Sequence, residues 1–478
     1  MQSFWSNNSE HNLRNSLTKN IKADAVVIGA GMAGILCAYR LMQNGVNTVV
    51  LEASRIGSGQ TKNTTAKITS QHGLIYSKII NNFGLKEAHN YALSNTIAID
   101  EYEKIIKKNK IDCDFKRASS FLYTKADDDK INDEYKAAKE LGINANLTDN
   151  TELPFKVKVA LEFKNQGMFN PIKFLMPLAE NMNIYENTKV TQLIDNKVVT
   201  EKGSVTAKYI IIASHFPFVN FPKMFFMRMH QERSYVLAIK TDKKIENMYY
   251  GIDGDGLTFR GYKDMILLGG YSHRTGECIG DKYKLLTNNA KIYYPDYTEV
   301  ARWSAQDCMT LDSIPYIGRF TKNNDNYFLA TGFNKWGMTG SMVSSMIISD
   351  LITGRKNNFI GTFSSDRKVT SIAMKNLMKE AEQSVKGLSS QIFVPVQNNL
   401  NAIPLGEGKI VEYKGKKAGV YKREDGKVFA VSSRCPHLGC QLEWNNTEKS
   451  WDCPCHGSRF DYRGNLIDNP AQKNNKLK

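Results

Sequence analysis

DAVVIGAGMAGILCAYRLMQNGVNTVVLE, residues 24–52, decides how the chain begins to fold. An apolar run, AVVIGA, enters the glycine-rich turn GAGMAG. A helical stretch, MAGILCAYRLMQNG, follows and ends at Gly45, a residue type that closes helices. A second apolar run, NTVVLE, ends in Glu52. Strand, helix and strand in that order make a β-α-β unit, so the first domain opens with a parallel sheet. Gly29, Gly31 and Gly34 form G-x-G-x-x-G. The first glycine allows the tight turn, the second lets backbone approach a pyrophosphate, and the third lets helix and strand pack closely. The helix N-terminus then offers free N–H groups and its positive dipole end to the phosphates. Glu52, at the tip of the second strand, is placed to accept hydrogen bonds from ribose hydroxyls. The turn alone fits FAD and NAD equally.

Beyond this unit, residues 86–109 read as an amphipathic helix. From 150 to 270 short strands dominate, punctuated by EKGS, DGDG and LGG, which predicts a β-rich layer interleaved with the first domain. YFLATGF, 327–333, is a further strand entering glycine, followed by a helix to about Gly354. Residues 365–395 are polar and helical in pattern. From about 396 the texture changes to short alternating strands, KIVEYK, AGVYKRE and KVFAVSS, separated by glycine-containing turns. The organisation is therefore a nucleotide-binding unit with its interleaved β-rich layer over 20–365, a helical connector over 366–395 and a small all-β module over 396–478. The motif GIDGDG at 251–256 lacks a β-α-β context and reads as a hairpin turn, so no second nucleotide domain is expected.

The stretch from Asp24 through DAVVIGAGMAGILCAYRLMQNGVNTVVLEASRIGSGQTKNTTAKIT resembles the start of the D-amino-acid oxidase-like family of FAD oxidoreductases. YIIIASHFP, RWSAQDCMTLDSIPYIGR and FLATGFNKWGMTGSMVSSMIISDLI resemble three further family segments, so the likeness runs over roughly 20–360. It implies an α/β FAD-binding domain, Rossmann-like, with an interleaved antiparallel β-sheet substrate domain. It implies FAD, with Glu52 and Ala53 at the adenosine ribose and Thr61, Thr65 and Ala66 along the cofactor. Ala213 would close over the nucleotide. Gly332, Phe333, Gly337, Met338 and Thr339 would lie near the isoalloxazine. Amino-acid-oxidising relatives grip a carboxylate with cations, some with a lysine where this chain has Thr339. The candidate cations here are Arg233, Arg260, His273, Arg274 and Lys335. His72 and Tyr76 are candidates to reach the flavin face, and Trp336 to wall the pocket. Cys308, in QDCMTLD, is a candidate for covalent flavin attachment, against the plainer role of a packed thiol.

RCPHLGC at 434–440 and WDCPCHGSRFD at 451–461 concentrate six cysteines and histidines in 22 residues. Cys435-x-His437-x-x-Cys440 and Cys453-x-Cys455-His456 are twelve residues apart. A local Cys/His cluster points to metal. Two Cys and two His suit tetrahedral zinc, but C-x-H is shorter than the usual zinc spacing. The pair resembles the Rieske fold, with C-x-H-x-G-C and then C-x-C-H-x-S. That resemblance implies a [2Fe–2S] cluster held by Cys435 and Cys453 on one iron and His437 and His456 on the other. It also implies a disulfide between Cys440 and Cys455. Ser458 falls where family members place a hydroxyl bonded to a cluster sulfur. Phe460 stands where high-potential members have Tyr, so a lower potential is expected. The other cysteines, Cys37, Cys113, Cys278 and Cys308, are isolated and read as small buried hydrophobes.

The formal charge of +16 comes without a basic block interleaved with aromatics, so no nucleic-acid partner is expected. It leaves room for weak, salt-sensitive attraction to an acidic electron carrier. The longest apolar run, residues 209–219, is too short to span a bilayer, and the polar N-terminal stretch lacks a secretory apolar core. A cytoplasmic protein is expected. Flavin and Rieske cluster in one chain convert between two-electron and one-electron chemistry. The reading is an FAD-dependent dehydrogenase of an amine or amino-acid-like small molecule that hands electrons to a separate one-electron carrier. The alternatives are a reductase fed through the cluster and a redox sensor without turnover.

Overall fold

The computed structural model describes the chain except residues 1, 9–12, 127–128, 220, 278–279, 394–399, 401–402 and 478. Cys278 and the expected boundary at 395/396 lie outside the described residues. The opening unit forms as its pattern dictates: strand Asn20–Ile28, helix Met32–Gln43, strand Thr48–Leu51. Both strands sit in parallel register, Ala25 beside Thr48 and Ile28 beside Leu51. Thr48–Leu51 is buried along its whole length, as a strand covered on both faces must be. The helix turns Ile35, Leu36, Cys37 and Leu41 into the core, each with no exposed surface. Burial of a side chain of Leu or Ile size is worth about 1.5–3 kcal/mol.

Among the described residues this sheet has eight strands. Its main path runs Tyr316–Arg319, Tyr327–Thr331, Ser204–Ile212, Asn20–Ile28, Thr48–Leu51, Asn183–Tyr185. The first two of these pair antiparallel, while the other pairs on the path are parallel. Helix Gly337–Thr353, buried over most of its length, packs on one side of it, and helix Leu85–Asn109 packs on that helix. A nine-stranded sheet forms the second layer, centred on the long pair Met229–Lys240 and Thr298–Thr310. It is antiparallel except where Met248–Gly251 runs parallel to Lys116–Thr124, so the purely antiparallel expectation is corrected at that pair. GIDGDG does form the turn between paired strands Met248–Gly251 and Thr258–Tyr262.

The connector is helical over Ser371–Phe393, starting later than its composition suggests. Arg367 explains the delay. Its guanidinium clamps Asp312 at 2.7 and 2.6 Å and donates to the carbonyls of Pro315, Ser364 and Ile314, pinning residues 364–370 in a non-helical path. After it come three antiparallel strands, Glu407–Tyr413, Lys416–Lys422 and Val428–Ser432, and a four-stranded sheet from Glu443–Asn445 to Leu466–Asp468. The core of this module holds Leu442, Trp451 and Phe460 together with Cys435, Cys440, Cys453 and Cys455. No helix among the described residues is long and apolar enough to cross a membrane.

Candidate active site and cluster site

The glycine turn makes a cradle. Gly29 has φ +107°, and a Cβ there would lie 2.5 Å from the Ala213 carbonyl oxygen. A Cβ on Gly34 would lie 1.9 Å from the Gly29 oxygen, so helix and strand touch through backbone alone. Glu52 accepts from the N–H groups of Ala30 at 2.8 Å and Ser54 at 2.7 Å. Burial raises its pKa against the pull of those bonds. The Met32 N–H donates to Thr61 Oγ1 at 2.9 Å, which fixes the threonine at the helix N-terminus.

A cavity of about 630 Å³ opens from this turn, within the size range of ligand sites. Gly29, Gly31, Glu52 and Ala53 line one end, and Thr61, Thr65 and Ala213 the middle. Phe333, Trp336, Gly337 and Met338 line the end where the helix Gly337–Thr353 begins. Gly34, Ala66, Gly332 and Thr339 do not line it. Gly34 packs the helix down, and Gly332 sits at φ +69° where a Cβ would meet Thr310. Ala66 is buried behind the wall at φ +53°. Thr339 is buried, its hydroxyl 3.1 Å from His72 Nε2. A turn with no room for a Cβ at Gly29 or Gly34, a helix N-terminus beside it and a cavity of this size fit a dinucleotide.

A second cavity of about 400 Å³ adjoins the first and shares Tyr250, Asn334, Lys335 and Trp336 with it. His72 lines it, stacked on Trp336 at 4.9 Å and 13°. Its ring bridges the Tyr91 hydroxyl and the Thr69 carbonyl, each at 2.7 Å. Burial lowers its pKa to about 3, so the imidazole is neutral. Tyr76 and Arg260 line neither cavity. The Tyr76 hydroxyl donates to the Ser70 carbonyl at 2.5 Å. Arg260 donates to the carbonyls of Thr65 and Phe169, and burial brings it down to about 9. Of the candidate carboxylate-gripping cations, Arg233, Arg260, His273 and Arg274 line neither cavity, and only Lys335 does. Its Nζ pairs with Glu232 at 3.0 Å. Asp307, on the strand beside Glu232, lines the larger cavity and is raised to about 7 by burial, with Glu232 adding to the rise and Lys335 opposing it. The segment RWSAQDCMTLD held Asp307, but its neighbour Cys308 drew the sequence reading. Cys308 is buried at the cavity wall, its Sγ 3.8 Å from Gln231 Oε1.

The two cluster loops share one geometry. In the first, the Cys435 N–H donates to the Cys440 carbonyl and the Gly439 N–H to the Cys435 carbonyl, at 2.8 and 2.9 Å. In the second, the Cys453 N–H donates to the Ser458 carbonyl and the Gly457 N–H to the Cys453 carbonyl, at the same two distances. Gly439 and Gly457 take φ of +84° and +85°, a turn that favours glycine. Cys440 and Cys455 form a disulfide between the loops. The sulfurs of Cys440, Cys453 and Cys455 lie within 4.8 Å of one another, but the disulfide uses two of them and leaves the Cys453 thiol free. Cys435 is free and buried, and its thiol is hydrogen-bonded to the Cys453 thiol and the Ser458 hydroxyl. The rings of His437 and His456 meet at 5.0 Å and 89°. Nδ1 of each is buried without a hydrogen-bond partner. Burial holds both rings neutral, at about 4 and about 3. Two thiols and two unpartnered neutral imidazoles are the donor set of a mixed Cys/His iron–sulfur site.

The module carrying this site is locked onto the flavin-type fold. Gln231 donates to the His456 and Asn469 carbonyls and Gln306 to the Gly457 carbonyl, all at 2.8 Å. Arg274 donates to the carbonyls of Pro454 and Cys455, and Phe226 lies against both histidine rings. Arg233 ion-pairs with Glu448 at 2.7 Å. Residues 466–469 and 471–472 of the module form part of the wall of the larger cavity. These docking contacts were not legible in the sequence, because they join residues far apart in the chain.

A nucleotide cradle sharing a wall with a two-Cys, two-His centre defines a redox protein with two cofactors. The family model for FAD dependent oxidoreductases matches residues 24–351, and that for the Rieske [2Fe-2S] domain matches 394–478. YhfW of Bacillus subtilis (strain 168), named as a Rieske 2Fe-2S iron-sulfur protein, is 35% identical over 99% of this chain and 96% of its own length. The gamma-glutamylputrescine oxidoreductase of Escherichia coli (strain K12) is 24% identical over 72% of this chain and 87% of that protein. Glycine oxidase from Geobacillus kaustophilus superposes with a TM-score of 0.62, at 16% identity, over 73% of this chain and 99% of its own. The chain belongs to the FAD-dependent oxidoreductase family and carries a C-terminal Rieske domain. Its cofactors are FAD and a [2Fe–2S] cluster, and it is an oxidoreductase enzyme.

Proposed function

We propose that the protein is a dehydrogenase of an amine or amino-acid-like substrate that passes electrons from flavin to the Rieske cluster and on to a separate one-electron carrier. One observation carries this reading: the cluster loop of His456 bonds to Gln231, whose side chain touches Cys308 in the wall of the flavin cavity. A cluster placed there serves the flavin. When bound, FAD accepts a hydride and the cluster takes electrons singly.

The residues supply the rest. Gly29, Gly31 and the N-terminus of helix Met32–Gln43 hold the pyrophosphate, and Glu52 faces the ribose. His72 and Trp336 form a flat apolar wall beside the adjoining cavity. Lys335 gives that cavity a cation, suited to a substrate carboxylate. Asp307, held near 7, can take a proton from a substrate ammonium. The similarity to the gamma-glutamylputrescine oxidoreductase of Escherichia coli supports this class. Cys435, His437, Cys453 and His456 hold the cluster, and the Cys440–Cys455 disulfide ties its loops.

The test is an anaerobic screen of small amines and amino acids. The flavin absorbance should bleach and the reduced Rieske signal should appear by EPR in the same sample. Bleaching without a cluster signal would break the proposed route. A cluster that a ferredoxin reduces while amines do nothing would favour the reverse reductase.

A further inference from the structure

A chain of five charged side chains joins the substrate side of the cavity to the cluster loop. Lys335 Nζ lies 3.0 Å from Glu232 Oε2. Glu232 Oε1 lies 3.4 Å from His230 Nε2, and His230 Nδ1 lies 3.0 Å from Glu380 Oε1. Glu380 receives both terminal nitrogens of Arg274, at 2.9 and 2.7 Å. Arg274 donates to the Pro454 and Cys455 carbonyls at 2.8 Å each. The chain draws on three separate elements and the turn before helix Gly337–Thr353, and the connector helix Ser371–Phe393 contributes Glu380.

We infer that His230 is a proton-binding site linked to the redox state of the cluster, which takes up one proton from solvent when an electron enters the cluster. The balance is simple: the cluster gains one electron and one negative charge, and the His230 imidazole gains one proton. The linkage follows from position. His230 is the one member of the chain whose ordinary pKa lies near neutrality. Two carboxylates hold its two nitrogens, and two further bonded contacts, through Glu380 and Arg274, reach the loop that carries Cys453 and His456.

The charged groups facing it are Glu232 on its own strand, Glu380 on the connector helix and Arg274 on strand Met265–Arg274. Lys335 and the Ser272 hydroxyl act on it through Glu232. Burial would lower its pKa, but Glu232 and Glu380 together raise it above the ordinary value of 6.5. Negative charge arriving at the cluster raises it further. Between the oxidised-state and reduced-state pKa values, reduction takes up a proton and the potential falls as pH rises. Below that window the imidazole is protonated in both states, above it in neither, and the potential is insensitive to His230. The window lies above about pH 6.5.

This inference rests on the cluster, and only its link to the cavity rests on the proposed dehydrogenase reading. The test therefore uses no substrate. The holoprotein is titrated redox-potentiometrically at a series of pH values, with the Rieske EPR signal as readout, for wild type and His230→Gln. The ligand histidines titrate in both, so the difference between curves isolates His230. The wild type should slope downward in the window, and His230→Gln should lose that part of the slope. Parallel curves would overturn the inference. Should His230→Gln load no cluster, Glu232→Gln removes one carboxylate remote from the cluster loop. It should move the window to lower pH, and an unmoved window would equally overturn the inference. Amines that fail to reduce the flavin would refute the dehydrogenase reading while leaving these curves unchanged.

Discussion

Replacing Arg233 by Met should weaken the hold of the cluster module by up to about 3 kcal/mol, a stabilisation of Glu448 that Arg233 shares with Arg459. The number follows from Glu448. Burial alone would raise that carboxyl, but Arg233 from the flavin-binding fold and Arg459 from the module hold it at about 2, against an ordinary 4.5. That difference is worth about 3 kcal/mol of stability. Arg233 is 2% exposed and Glu448 12%, so solvent screens the pair little. The sign is that of a depressed carboxyl: the stabilisation is complete above pH 4.5 and is lost as pH falls toward 2. Urea unfolding of wild type and Arg233→Met, followed by tryptophan fluorescence at several pH values, reads the difference. Trp451 is buried in the module core and reports its unfolding. The gap should be full at neutral pH and shrink in acid. A gap below about 1 kcal/mol, or one unchanged on acidification, would refute the account.

Other outcomes follow from single contacts. Gly34→Ala places a Cβ 1.9 Å from a backbone oxygen and should cost the fold and the flavin together, whereas Gly31→Ala meets only the Thr61 hydroxyl at 3.3 Å and should keep the fold but lose flavin; absorbance per chain and circular dichroism separate the two. Ser458→Ala removes a hydroxyl bonded to Cys435 and should lower the cluster potential, measured by redox-poised EPR. Asp307→Asn should remove an inflection near pH 7 from the rate of flavin reduction under anaerobic conditions, since wild-type Asp307 is protonated below about 7 and a base above it. Phe460→Tyr should raise the cluster potential in the same poised titration, if the buried ring position accepts a phenol.

Local chemistry was legible in the sequence, and long-range assembly was not. The β-α-β unit could be read because glycine turn, helix and strand follow each other within one short stretch. The cluster loops could be read because each binds its own backbone, Cys435 to Cys440 and Cys453 to Ser458. Tyr76 and Arg260 misled because a polar group near a site looks the same in sequence whether it faces the cavity or a backbone carbonyl. Arg233 and Arg274 misled similarly: their partners, Glu448 and Pro454, lie in another domain. Asp307 escaped notice because its neighbourhood is set by Glu232 and Lys335, from two other elements. Motifs report what neighbours in the chain do, and the rest depends on which strands the fold places side by side.

The wall that residues 466–469 and 471–472 give to the flavin cavity bears on how the enzyme is made. Synthesis runs from the N-terminus, so the glycine cradle emerges first and the closing wall last. While the module is absent the nucleotide site stands open on that side, and a long, stiff cofactor can enter without displacing protein. Docking of the finished module then completes that side of the cavity wall.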